Sequence, residues 1–154
     1  QGDYEQAEYF YKESLRVHYE HGLEPDIQYL QCLVLTALYR KDYPLASQRI
    51  MDCYDIAKRL GEKTSTCGLF IGLAAVAAGM NQPEPAARLS GMAQGILETI
   101  PFPYQPTDHA VFDRHIQIAR NQLGEARFES LATEGRAMTI EQAIEYALDL
   151  ATSL

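Results

Sequence analysis

One phrase recurs three times along this chain. Gly2-Asp3-Tyr4-Glu5-Gln6-Ala7 returns as Lys41-Asp42-Tyr43-Pro44-Leu45-Ala46, and again as Asn81-Gln82-Pro83-Glu84-Pro85-Ala86. The closing alanines, Ala7, Ala46 and Ala86, stand 39 and 40 residues apart. A fixed period in this range marks a chain that builds one supersecondary unit repeatedly and buries each unit's apolar face on its neighbour. The phrase therefore predicts a stacked-repeat architecture, within which the rest of the sequence is read.

Helical periodicity runs almost end to end, and nothing reads as a strand. A first helix over about residues 3–20 carries Tyr4, Ala7, Tyr11 and Leu15 on one face and stops at Gly22. A second, over about 26–39, follows Pro25, a good first-turn residue. A third starts near Pro44 and sets Ala46, Ile50, Cys53, Tyr54, Ala57 and Leu60 along a buried stripe that Gly61 ends. The fourth, roughly 64–80, has no polar face between Cys67 and Ala78, so it is expected to be buried on every side. A fifth, about 83–99, is halted by Pro101, Pro103 and Pro106.

Three more helices follow. Thr107 or Asp108 caps one that runs to Gln122, with Phe112, Ile116, Ala119 and Leu123 on a face. Gly124 and Gly135 bracket a short one that holds Phe128 and Leu131. Thr139 with Gln142 three residues on forms a capping box that opens the last, where Ile140, Ala143, Ile144, Ala147, Leu148 and Ala151 are in register. The expected fold is all-α, a solenoid of helical hairpins with about eight helices. Residues 1–100 form the repeats, the first incomplete, and 101–154 form capping helices of the same domain. In that cap Phe112, Ile116, Phe128, Leu131, Ile144 and Leu148 are expected to face in, and Asp113, Arg120, Glu129 and Glu145 to face out.

Composition excludes several roles. The 154 residues are 47% hydrophobic and 22% charged, the balance of a globular protein, with a net charge of −8. No basic run exceeds the pairs Arg40-Lys41 and Lys58-Arg59, so a phosphate backbone is repelled and nucleic-acid binding by this segment is disfavoured. The longest apolar run, Leu69 to Met80, is too short to span a bilayer, and no membrane partner is expected. Cys32, Cys53 and Cys67 are odd in number and lie in apolar stretches, which predicts reduced thiols and a cytoplasmic setting. The chain opens at Gln1 inside a repeat and reads as a piece of something larger.

The repeated phrase resembles the second helix of a tetratricopeptide (TPR) repeat, which writes Gly-Asp-Tyr, two variable residues and Ala, then an aromatic and a small residue. Tyr4, Ala7 and Tyr11, then Tyr43, Ala46 and Ile50, then Ala86 fill the repeat packing positions. The resemblance implies a TPR-like superhelix. The period is longer than the family's 34 residues, so helices or loops are longer here.

The segments Gly72–Ala78, Gln82–Leu89, Leu123–Phe128 and Glu134–Ala143 are similar, in order and spacing, to the C-terminal repeat region of large bacterial regulators. Those proteins are built on a signal-transduction ATPase, often with a LuxR-type DNA-binding domain. This resemblance implies a non-catalytic interaction or regulatory module. Its partners would be neighbouring domains or a separate protein, with a small-molecule inducer as a further candidate.

Few residues point to chemistry. No serine or cysteine sits in a nucleophile motif, no glycines form a phosphate cradle, and no cofactor is implied. His18 and His21 share a helix face but have no third ligand at a fixed spacing, so a solvated helix end is the expectation. His109 and His115 are expected at the surface, and Glu13, Glu20, Glu24 and Asp26 as a solvated acidic patch. Some TPR proteins grip a peptide carboxylate with basic and amide side chains on their concave faces. The matching positions are Gln31, Leu35, Ile71 and Ala75, of which one is polar and none charged, so a groove here would be apolar or filled by the C-terminal helices. The alternative is a helical ligand-binding or enzymatic domain with its own pocket near the proline-rich loop. Convergent ionisable residues in a pocket would favour that alternative.

Overall fold

Asp3 accepts a hydrogen bond from the Gln6 amide at 3.1 Å and opens the first helix as a side-chain N-cap. From there the computed structural model describes residues 3–23, 27–60, 64–99 and 109–153. They form eight helices and no strand: α1 (Tyr4–Glu20), α2 (Ile27–Tyr39), α3 (Tyr43–Leu60), α4 (Thr64–Gly79), α5 (Pro83–Leu97), α6 (His109–Leu123), α7 (Glu125–Arg136) and α8 (Ile140–Ser153). The expected roles of Gly2, Pro25, Asp26, Gly61, the prolines of 101–106, Thr107 and Asp108, and of the Ala57, Leu60 and His109 side chains, lie outside the described residues.

The sequence repeat is also a geometric repeat. After α2, the Lys41 amide donates to the Leu38 carbonyl at 3.1 Å and the Asp42 amide to Ala37 at 2.9 Å. After α4, Asn81 donates to Ala78 at 3.2 Å and Gln82 to Ala77 at 2.8 Å. Both turns are Schellman caps, with the pivotal residue left-handed: Lys41 at φ 59° and Asn81 at φ 61°. Gly22 (φ 65°) closes α1 in the same way, its amide on Tyr19 and that of Leu23 on His18. Each pivot at 41 and 81 is followed at once by a new helix, so α2–α3 and α4–α5 are antiparallel hairpins.

One core joins these hairpins to the C-terminal helices. Leu38, Ile50, Phe70, Leu73, Leu89 and Val111 pack there with Ala143 and Ala147 of α8. A second cluster is built mostly of alanines (Ala77, Ala78, Ala86, Ala87, Ala119 and Ala132) around Phe128 and Leu131. Small side chains let helix axes approach closely. The apolar α4 is covered by α3, α5, α6 and α8, and its residues Leu69–Ala78 are buried except for half-buried Ile71.

α5 and α7 approach each other backbone to backbone. A methyl group on Gly91 would stand 1.8 Å from the Ala132 carbonyl oxygen, and one on Gly135 2.0 Å from that of Arg88. Gly135 therefore does not bracket α7, as its sequence position had implied. The helix continues to Arg136, and the glycine is there because a neighbouring backbone occupies the place of a side chain.

The inward faces expected for α6 and α8 form, with Phe112, Ile116, Ile144 and Leu148 packed against the main core. On α6 the fully covered residues are Val111, His115 and Ala119, one position away from the half-buried Phe112 and Ile116. On α8 they are Ala143 and Ala147, and Ile144 and Leu148 are half-buried. The Thr139–Gln142 box forms in both directions, at 3.0 and 3.3 Å.

Candidate functional site

The repeat positions occupy two kinds of place. Ala46 and Ala86 are fully buried and Ile50 nearly so, its side chain against Gly72. Tyr4, Ala7 and Tyr11 on α1 are half-buried. Tyr4 stacks on Tyr39, the last residue of α2, with centroids 5.0 Å apart. Its repeat counterpart Tyr43 lies against Gly79, the last residue of α4. A repeated tyrosine thus braces the end of the following helix in both units.

Of the four candidate groove positions, Leu35 and Ala75 are buried in the main core, and Gln31 and Ile71 are half-buried. Val111 of α6 and Ala143 and Ala147 of α8 belong to the same core as Leu35 and Ala75.

A charged node joins α1 to α2 and α3. The Glu8 carboxylate accepts from Arg49 Nη2 at 2.5 Å, from Arg40 Nη1 at 3.0 Å and from Lys12 Nζ at 2.8 Å. Arg49 Nη1 also donates to the Leu33 carbonyl at 2.5 Å and to Thr36 Oγ1 at 3.2 Å. The Lys12 hydrogen bond, reinforced by Arg49, holds the Glu8 carboxyl at about 2 against the opposing effect of burial. Sequence reasoning missed this node, although a signal was present. Glu8 fills the repeat position held by Ser47 and Ala87, and Arg49 that held by Phe10 and Leu89, so each is a charge where other units place small or apolar residues.

Beside the node lies an open cleft of about 740 Å³ between α1, α2 and α3. Its floor is Leu15, Leu30, Leu33 and Ile56, and its rim carries Asp52, Asp55, Lys58 and Arg59. A floor of this kind accepts apolar surface, and a rim of both signs selects no net charge.

Other ionisable groups bind helices together. Arg88 meets Glu134 at 3.1 Å and Arg127 meets Glu84 at 2.9 Å, flanking the α5–α7 crossing. Arg120, expected to face out, instead lies over the Phe128 ring at 4.1 Å and binds Glu129 at 2.7 Å. The expected acidic patch is tied to Arg16, which binds Glu13 at 2.9 Å and also Glu20, while Glu24 and Asp26 lie outside the described residues.

His115 is a correction to the surface expectation. It is 5% exposed, its Nδ1 is 2.7 Å from the Val111 carbonyl, and Tyr43 meets its ring edge-on. His18 Nδ1 lies 2.9 Å from the Ser14 carbonyl. Among the described residues no three His, Cys, Asp or Glu side chains converge as a metal site. Burial pushes the Cys53 thiol up to about 12 and that of Cys67 to about 11, which suppresses thiolate chemistry. Among the described residues no helix is long and apolar enough to cross a membrane. Comparison with protein-family models, curated proteins and solved structures finds no match.

Proposed function

We propose that this chain is a non-catalytic, cytoplasmic protein-interaction and regulatory module, a TPR-like superhelix within a larger bacterial transcriptional regulator or signalling ATPase. The observation that carries the proposal is the repeated cap at Lys41 and Asn81, each followed by a helix whose alanine, Ala46 or Ala86, is fully buried. Equivalent hairpins stacked in series give a protein an extended docking face and no enclosed reaction chamber. The charged residues of the Glu8 node and of the α5–α7 rim are engaged in holding helices, which is structural work.

The test is the reading frame that encodes the chain. The expected result is a phosphate-binding loop or a helix-turn-helix in the same polypeptide, with no ATP hydrolysis by residues 1–154 alone. A frame that encodes a metabolic enzyme, or turnover by this segment, would overturn the proposal.

The cleft over Leu15, Leu30, Leu33 and Ile56 favours a second role, inducer sensing, for the same module. A saturable thermal shift with an apolar small molecule, abolished by Leu33→Asp, is the measurement that would support it.

A further inference from the structure

The two flanks of α1 differ sharply. One is in use: Tyr4 stacks on Tyr39, Glu8 binds Arg49, and Leu15 packs with Leu30 and Leu33. The other is bare, with Phe10 61% and Val17 43% exposed, and Tyr9, itself exposed, edge-on to Phe10. The repeat indicates what covers such a flank. Phe10 corresponds to Arg49 and Leu89, and Val17 to Ile56 and Ile96.

In α3 both positions meet the preceding helix. Arg49 donates to the Leu33 carbonyl and to Thr36, and Ile56 packs with Leu30 and Leu33. In α5, Leu89 is fully buried, and Ile96 shares a small cavity with Phe70, the α4 counterpart of Leu30. At both inner hairpins, then, this flank is closed by a helix with large apolar residues three apart: Leu30 and Leu33 in one, Phe70 and Leu73 in the other.

We propose that the Phe10–Val17 flank of α1 is a docking surface for one more helix of this kind, an amphipathic protein helix antiparallel to α1. Its apolar residues would follow the Leu30/Leu33 spacing, so that the stack extends past α1. The surface continues an interface the chain already forms twice. The inference deepens the interaction-module assignment by naming where a partner docks and what it presents, and it rests on that assignment.

The experiment titrates the intact chain with a synthetic peptide of the α2 sequence, residues 27–41 carrying Cys32→Ser, and follows amide exchange in α1. Expected is slower exchange between Phe10 and Val17. Binding should weaken roughly tenfold or more in Phe10→Asn/Val17→Asn, as for loss of two interface anchors. A peptide with Leu30→Asn and Leu33→Asn should lose binding likewise. The double variant should melt with the parent, because the two side chains are exposed, and this separates lost docking from lost folding.

No protection of α1 at millimolar peptide, or equal affinity for parent and double variant, would overturn the proposal. A dimer of the chain alone, dissolved by the same double variant, would also overturn it by making a second copy the occupant. The reading-frame test stands apart from all of these outcomes, so failure of the docking surface and failure of the module assignment are distinguishable.

Discussion

Glu8 and Arg49, 41 residues apart in sequence, meet at 2.5 Å with each side chain only about a tenth exposed, and this pair ties α1 to the rest of the molecule. Removing Arg49 leaves the Glu8 carboxylate only the more exposed Lys12 and Arg40 as partners, at a cost of up to roughly 3 kcal/mol. Arg49→Met is therefore expected to destabilise strongly. Glu8→Gln/Arg49→Met should lose less than the sum of the two single changes. Urea denaturation of the four-member cycle measures the coupling.

The same carboxylate predicts acid sensitivity. Lys12 and Arg49 hold the Glu8 carboxyl at about 2, below its ordinary 4.5. A folded value below the unfolded one gives stability that is complete above the unfolded pKa and is lost as pH falls through 4.5 towards 2. Melting curves from pH 7 down to 2.5 should fall less steeply in Glu8→Gln than in the parent.

The repeated caps make unequal predictions for two chemically similar changes. Lys41 holds a left-handed conformation that costs a non-glycine residue roughly 1 kcal/mol. Lys41→Gly is expected to stabilise by about that amount. Asn81→Gly gains less, since asparagine tolerates this conformation, and it loses the 2.7 Å hydrogen bond from Gln122. Paired thermal melts would decide, and equal gains would contradict the assignment.

Ala46 is fully buried and Ala126 is exposed. Ala46→Leu should destabilise by roughly 1–3 kcal/mol through overpacking, and Ala126→Leu by almost nothing. Equal shifts in Tm would place the repeat out of register.

Burial also predicts slow thiol chemistry. With Cys67 raised to about 11 and Cys53 to about 12, both should resist alkylation by iodoacetamide at pH 7.5 in the folded chain and react at once in urea. Mass spectrometry of the quenched mixtures would check this.

The helices were legible because their signals are local: the 3.6-residue stripe of α3, the Thr139–Gln142 box, and the glycine at 22. What sequence reasoning missed depends on partners distant in the chain. Gly135 looks like a helix stop until Arg88 of α5 is placed beside it. His115 looks solvated until Tyr43, 72 residues away, lies against its ring. Nothing local marks Glu8 and Arg49 as partners, and only their meeting between α1 and α3 makes their burial tolerable. On α6 the expected face of Phe112, Ile116 and Ala119 does turn inward, and what spacing does not show is that Val111 and His115 are covered more completely than Phe112 and Ile116. The candidate groove positions come from the TPR resemblance, with filling by the C-terminal helices as one expectation, and only the fold shows that Val111 of α6 and Ala143 and Ala147 of α8 share a core with Leu35 and Ala75.

The crossing of α5 and α7 works as a keyed joint. Gly91 seats the Ala132 carbonyl and Gly135 seats that of Arg88, each within the space a methyl group would need. Sliding α7 by one residue would bring Glu134 or Arg136 into the slot that only a hydrogen atom fits. The joint has one seated position and no neighbouring one, so α7 travels with α5 as a single body. A displacement of α7 is thereby handed to the second hairpin through α5.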